Sequence, residues 1–179
     1  MAKIKTQEEF FRDNLVLERM ISKELWEEYL NTPHAKRSSL IYDQLVKVLK
    51  VNPNLELWLP HYEANKKGLA TDGGMFFEAP GVYVSNRGNV YNIHTGNLSR
   101  GKSRYRSKTL RYQYRIGEQR FFVNVRRAVA SMFVPCHLDV TMDMCVPTDL
   151  DGCRQNNDFR NLRWMISDFF MEENREVYC

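Results

Sequence analysis

Val146-Pro-Thr-Asp-Leu-Asp-Gly-Cys-Arg-Gln-Asn-Asn-Asp-Phe-Arg-Asn-Leu-Arg-Trp164 is the stretch on which the reading of this chain turns. It begins as a short apolar strand and reaches a turn at Gly152. A polar loop follows, and Asn161-Leu162-Arg163-Trp164 leads into an apolar run. Asp149, Asp151, Asn156, Asn157 and Asn161 crowd short polar side chains into a small space. Such side chains cap helices and satisfy the backbone of tight loops. They also supply the oxygen atoms that a hard cation takes as ligands.

Two further blocks precede it. Phe121-Phe-Val-Asn-Val-Arg-Arg-Ala-Val-Ala-Ser-Met-Phe-Val-Pro135 reads as a strand running into a helix over Arg126 to Phe133, with Val129, Ala130 and Phe133 inward. In Gly81-Val-Tyr-Val-Ser-Asn-Arg-Gly-Asn-Val-Tyr91, Val82 and Val84 on one side and Val90 and Tyr91 on the other flank Asn86-Arg87-Gly88-Asn89. That pattern predicts a hairpin whose glycine can take positive φ.

The three blocks, in this order and spacing, resemble the HNH (ββα-metal) nucleases in the form common among phage homing endonucleases. The Gly81–Tyr91 block is similar to the nuclease-associated modular DNA-binding segment. The resemblance runs from about Phe76 to Phe169. It implies an α+β fold with a ββα-metal unit, double-stranded DNA as partner, and Mg as cofactor only if cleavage survives. It also marks the departures. Asp149 stands at the position of the family's water-activating His, and Thr148 at that of a metal-binding Asp or Asn. Phe170 falls near the last ligand, while Asn161, which orients the His, keeps its identity. A carboxylate of ordinary pKa, ~3.9, is a poor general base for water at neutral pH, and phenylalanine binds no metal. The resemblance therefore implies a degenerate site with no catalytic residue and no metal.

Composition sets the remaining bounds. At 179 residues with ten Phe, nine Tyr and three Trp, the chain can bury a core. It has no apolar run of membrane-spanning length, and its first residues lack a signal-peptide core. A cytoplasmic protein is expected, in the host cytoplasm or nucleoid if phage-encoded. The net charge is +4. Its distribution matters more, because eleven cations lie between Ser85 and Ala130 against Glu118 alone, on a chain otherwise net acidic. Those expected to contact DNA are Arg87, Arg100, Lys102, Arg104, Arg106, Lys108, Arg111, Arg115, Arg126 and Arg127. Arg100–Lys108, a loop of cations, hydroxyls, glycine and an aromatic, is the leading phosphate-contacting candidate, because each cation on a phosphate releases counterion. Leu110 to Ile116 alternates as a strand, which puts Arg111 and Arg115 on one face.

The N-terminal third reads as a helical hairpin. Thr6-Gln-Glu-Glu9 has the form of a capping box, and Phe10, Leu17, Met20, Ile21, Leu25 and Leu30 recur at near-helical spacing. Asn31-Thr32-Pro33 separates this helix from a second, buried through Leu40, Ile41, Leu45, Val48 and Leu49 and closed by Asn52-Pro53-Asn54. The expected organisation is a helical extension over 1–70, a basic β-rich segment with a helix over 75–135, and the degenerate ββα unit over 136–179.

Three other chemistries are open to the sequence. Asp149 and Asp151, with Asp139 and Asp143, could form a metal pair with His137 as a displaced base, giving a nicking endonuclease. The competing reading of Asp151-Gly152 is a turn among solvated carboxylates. Cys136, His137, Cys145 and Cys153 could hold zinc, though their spacing fits no standard pattern. Residues 1–50 could instead grip a protein partner such as a polymerase or host factor.

Overall fold

The computed structural model describes residues 7–64, 76–99, 102–103, 110–116, 118–138 and 144–167. The architecture is α+β. Its helices are α1 (Gln7–Asp13), α2 (Lys23–Asn31), α3 (His34–Val51) and α4 (Val125–Phe133). A five-stranded sheet runs β1 (Leu15–Val16), β2 (Leu57–Ala64), β3 (Phe76–Ser85), β4 (Val90–Asn92) and β5 (Asn97–Ser99) in chain order. A three-stranded sheet holds β6 (Lys102–Ser103), β7 (Leu110–Ile116) and β8 (Gln119–Asn124), and β9 (Cys145–Asp149) pairs with β10 (Leu162–Ile166).

The helix at the centre is α4. Asn124 caps it, its side chain accepting from the Arg127 amide at 3.2 Å. Val125, Ala128, Val129, Ala130, Met132 and Phe133 are all buried, so this helix is apolar nearly all round. It packs on α3, on β2 and β3, and on the two smaller sheets.

The large sheet is buried on both faces, which the alternation of β2 and β3 makes possible. Leu57, Leu59, Val82 and Val84 point into the main core beneath α4. Trp58, Tyr83 and Tyr91 emerge on the opposite face, where Phe10 of α1 covers them. Phe10 stacks on Tyr91 at 4.2 Å between centroids and meets Trp58 edge-on at 5.4 Å.

The N-terminal expectation needs correction in one respect. α2 and α3, joined at Thr32–Pro33, are the expected helical pair, and α3 ends at Asn52 as read. The helix expected to run on from Thr6 is split. Asn14 stops α1, with both its amide and its side-chain nitrogen donating to Phe10 O at 3.0 Å. Leu15 and Val16 then add a short parallel strand to β2, and Leu17–Arg19 forms a 3-10 turn before α2. Tertiary pairing won over the helical spacing because Val16 and Leu17 are buried on opposite faces of the sheet. The capping Thr6 lies outside the described residues.

The hairpin expected at 86–89 is present as the β3–β4 turn, and a second turn joins β4 to β5. Leu57–Ala64 pairs with β3, so strand and core cross the expected 1–70 and 75–135 segments. No helix among the described residues is long and apolar enough to cross a membrane.

Candidate functional site

β9 and β10 pair in antiparallel register, Asp149 opposite Leu162 and Thr148 opposite Arg163. The loop between them is organised by Asn161. Its Oδ1 accepts from the Asp151 amide at 3.0 Å, and its Nδ2 donates to Asp151 Oδ1 and to Asn156 O, each at 2.9 Å. Asp151 is exposed but fully engaged, accepting also from Asn156 Nδ2 at 2.7 Å and the Cys153 amide at 2.8 Å. The Asn156 bond, followed by the Cys153 amide, holds its carboxyl below the ordinary range. Gly152 turns the chain there at φ +74°.

Asp149, which the resemblance placed at a general-base position, faces inward. Arg126 Nη1 lies 2.9 Å from Asp149 Oδ1, with the two side chains only 11% and 13% exposed. Arg126 Nη2 donates in addition to Arg154 O at 2.9 Å. Thr148 Oγ1 reaches the Arg163 carbonyl at 3.5 Å, and Phe170 lies outside the described residues. Asp149 and Asp151 are thus held by different partners rather than paired, and Asp139 and Asp143 lie outside the described residues. His137 is exposed. The zinc set is not assembled, since Cys136 and Cys145 meet while Cys153 is exposed in the polar loop. Among the described residues no three His, Cys, Asp or Glu side chains gather into a metal site.

This loop is joined to the 86–89 hairpin. Asn86 is buried at the junction, its Oδ1 accepting from the Leu57 amide at 2.9 Å and its carbonyl from the Phe159 amide at 2.8 Å. Gly88, at φ +85°, packs directly on Asn157, where an added Cβ would come within 2.6 Å of the Asn157 Cβ. Arg160 grips Asp158 through two bonds of 2.9 and 2.8 Å and reaches back to Pro53 O at 3.0 Å. Burial pushes the Asp158 carboxyl up, but its bonds to Arg160 outweigh that and leave it below the ordinary range. A cleft of about 470 Å³ opens between hairpin and loop, lined among others by Arg87, Asn89, Gln155 and Asn156.

The expected DNA-contacting residues divide in three. Arg87 is exposed on the hairpin turn, its Nη1 near Asn54 O at 3.4 Å. Arg111 and Arg115 are exposed on β7 while Tyr112 and Tyr114 between them are buried, so the two arginines do share a face. Register sets Lys102 opposite Arg111. Arg126 and Arg127 turn inward instead. Arg127 Nη1 donates to Cys145 O at 3.0 Å, and its guanidinium lies 5.8 Å from the Trp164 ring centroid. Arg100, Arg104, Arg106 and Lys108 lie outside the described residues.

Sequence reasoning omitted Arg120 from the site. It is exposed and sits directly opposite Arg115 across the β7–β8 pairing. The signal lay in the pairing of Ile116 with Gln119, from which one step outward puts 115 and 120 in register. Arg163, exposed on β10, was also left aside.

No family model and no curated protein matches this chain. A solved structure described as "DNA binding and cleavage by the HNH homing endonuclease I-HmuI" matches at 23% identity and a TM-score of 0.41, over 65% of this chain and 58% of that one. This chain therefore spans less than two thirds of the length of that homing endonuclease.

Proposed function

We propose that this chain is a DNA-binding protein on a degenerate HNH frame, acting by occupancy in the control of transcription or replication rather than by cleavage. The observation that carries the reading is the Arg126–Asp149 pair. A base that activates water must present a lone pair to the reacting site. Asp149 instead turns its carboxylate to a guanidinium at 2.9 Å, in a nearly closed setting. In the polar loop that remains, the Asn161 amide has both its oxygen and its nitrogen engaged within the loop, while neither side-chain polar atom of the buried Asn157 has a hydrogen-bond partner among the described residues. The loop serves as a rigid brace for β10.

Binding is assigned to the exposed cations. Arg111, Arg115 and Arg120 line one face of the small sheet, with Gln113 exposed among them and Arg87 on the neighbouring hairpin. Like charges directly opposite each other in a sheet are unfavourable in isolation. The Arg115–Arg120 pair is therefore better matched by an anionic partner than by water. Arg126 and Arg127 serve the fold, and the 100–108 segment supplies further phosphate contacts.

A fluorescence-anisotropy titration of duplex DNA at low and physiological salt tests binding. A supercoiled plasmid incubated with Mg²⁺ or Mn²⁺ tests cleavage. The expected result is binding with a steep inverse salt dependence and an intact plasmid. Nicked plasmid, with nicking lost in Asp149→Asn or His137→Ala, would establish an active nuclease with an atypical site. Absence of binding at low salt would remove the DNA reading and direct attention to a protein partner for residues 1–50.

A further inference from the structure

We propose that Cys136 and Cys145 form a modification site, a thiol pair that a low-molecular-weight disulfide such as oxidised glutathione converts to an intramolecular disulfide bond. The Cys136 thiol donates to Cys145 Sγ at 3.8 Å, so the two sulfurs are in van der Waals contact. A disulfide bond measures about 2.05 Å, so forming one asks the two sulfurs to approach by about 1.8 Å.

The two thiols are unequal in access. Cys145 is 0% exposed, at the start of β9, while Cys136 is half-buried in the segment that follows α4. An incoming oxidant meets Cys136 first. Cys145, shielded from solvent and already in contact with the Cys136 sulfur, can then act as the second thiol. This asymmetry divides the labour between an attacking and a resolving thiol, as thiol–disulfide exchange requires.

The exchange runs in two steps. Cys136, on losing its proton to solvent, attacks one sulfur of oxidised glutathione. The glutathione S–S bond breaks and one glutathione thiolate leaves, leaving a mixed disulfide at Cys136. Cys145 then gives up its proton and attacks Cys136 Sγ, and the second glutathione thiolate leaves. Two cysteines are oxidised by two electrons in total, and one glutathione disulfide becomes two glutathiones that carry the released protons.

The consequence is mechanical. β9 is already tied to α4 at both ends, through Arg127 to Cys145 O and through Arg126 to Asp149. The new bond would also fasten the segment leaving the far end of α4 to the start of β9. Oxidation would thereby stiffen the frame that carries the polar loop.

The test uses the full chain, incubated with oxidised glutathione and read by intact mass, alkylation and peptide mapping. The expected product is lighter by two hydrogens, carries a Cys136–Cys145 cross-link, and shows both thiols protected from iodoacetamide. Cys145→Ala should stop at a stable glutathione adduct on Cys136, Cys136→Ser should form neither species, and Cys153→Ser should behave as wild type. Unchanged circular dichroism in each variant excludes a folding effect. A glutathione adduct that persists on Cys136 in the wild type, a cross-link through Cys153 or Cys179, or zinc found on these two thiols by native mass spectrometry would overturn the proposal. None of these readouts involves DNA, so the outcome is independent of the DNA-binding reading.

Discussion

Arg126 and Asp149 join the first turn of α4 to the end of β9 through a 2.9 Å ion pair whose side chains are 11% and 13% exposed. Arg126 is the second residue of its helix, and no acidic residue sits in that first turn. A cation there opposes the helix dipole, whose amino end is the positive one. Asp149 offsets that cost as well as pairing the charge. Asp149 thus has a structural use, fixing the first turn of α4 to the end of β9.

Removing one partner of a pair this buried leaves an uncompensated charge. Asp149→Ala and Arg126→Met should each cost about 3–5 kcal/mol in urea denaturation. The double substitution Arg126→Met with Asp149→Leu should recover most of the loss, since two apolar groups of similar size leave no charge behind. Two small and additive single losses would mean that the pair is solvated and that Asp149 is available for other chemistry.

Arg115 and Arg120 make a prediction of opposite signs. Arg120→Gln relieves the cross-strand repulsion and should stabilise the fold by about 0.2–1 kcal/mol. The same substitution should weaken DNA binding and lower the salt slope by about 1. Thermal melts and anisotropy titrations on one preparation read both. If stability rises while binding is unchanged, the sheet face is not the DNA interface.

The directions that Arg126 and Arg127 take were not legible in the sequence. The strand period separates Arg111 and Arg115 from Tyr112 and Tyr114 without ambiguity, and the structure agrees. The 86–89 turn and the start of α4 were equally legible, because Gly88 and Asn124 have local backbone reasons to be there. The adjacent arginines 126 and 127 sit on a helix buried almost all round, and only their tertiary partners Asp149, Cys145 and Trp164 decide where their guanidiniums go. The split after α1 was illegible for a related reason. Phe10 and Leu17 satisfy a helical spacing, yet they are buried on opposite faces of a sheet formed with residues more than forty positions away.

His61 gives the chain a pH dependence. It is fully buried, edge-on to Tyr114 at 5.9 Å, and burial holds its pKa at about 3 against an ordinary 6.5. The folded state therefore refuses a proton that the unfolded chain accepts below pH 6.5. Stability is unaffected above that pH and falls as the pH drops from 6.5 towards 3, by at most about 1.4 kcal/mol per unit. His61→Phe keeps a ring against Tyr114 and should flatten this slope between pH 6 and pH 5. Asp151 and Asp158 lose their stabilising ionisation at lower pH, and they do so in both proteins. Parallel stability curves for wild type and variant would show that His61 is protonated within the fold.

Gly88 and Asn157 test whether hairpin and loop form one unit. Gly88 has φ +85°, and a Cβ there would lie 2.6 Å from the Asn157 Cβ, which cannot retreat because Asn157 is only 3% exposed. Gly88→Ala should therefore cost about 2–4 kcal/mol, combining backbone strain with overpacking. The two contributions separate in a double-mutant cycle. Asn157→Gly removes the opposing Cβ but keeps the Asn157 carbonyl 3.2 Å from the added carbon, so it should return part of the packing loss while leaving the strain, and the pair should couple by about 1–2 kcal/mol. Strain alone would give no coupling, and the Gly88–Asn157 contact would then add nothing to the junction made by the Phe159 amide and Asn86 O. Coupling would mean that Arg87 on the hairpin turn and the Asn161-centred loop are held in one register.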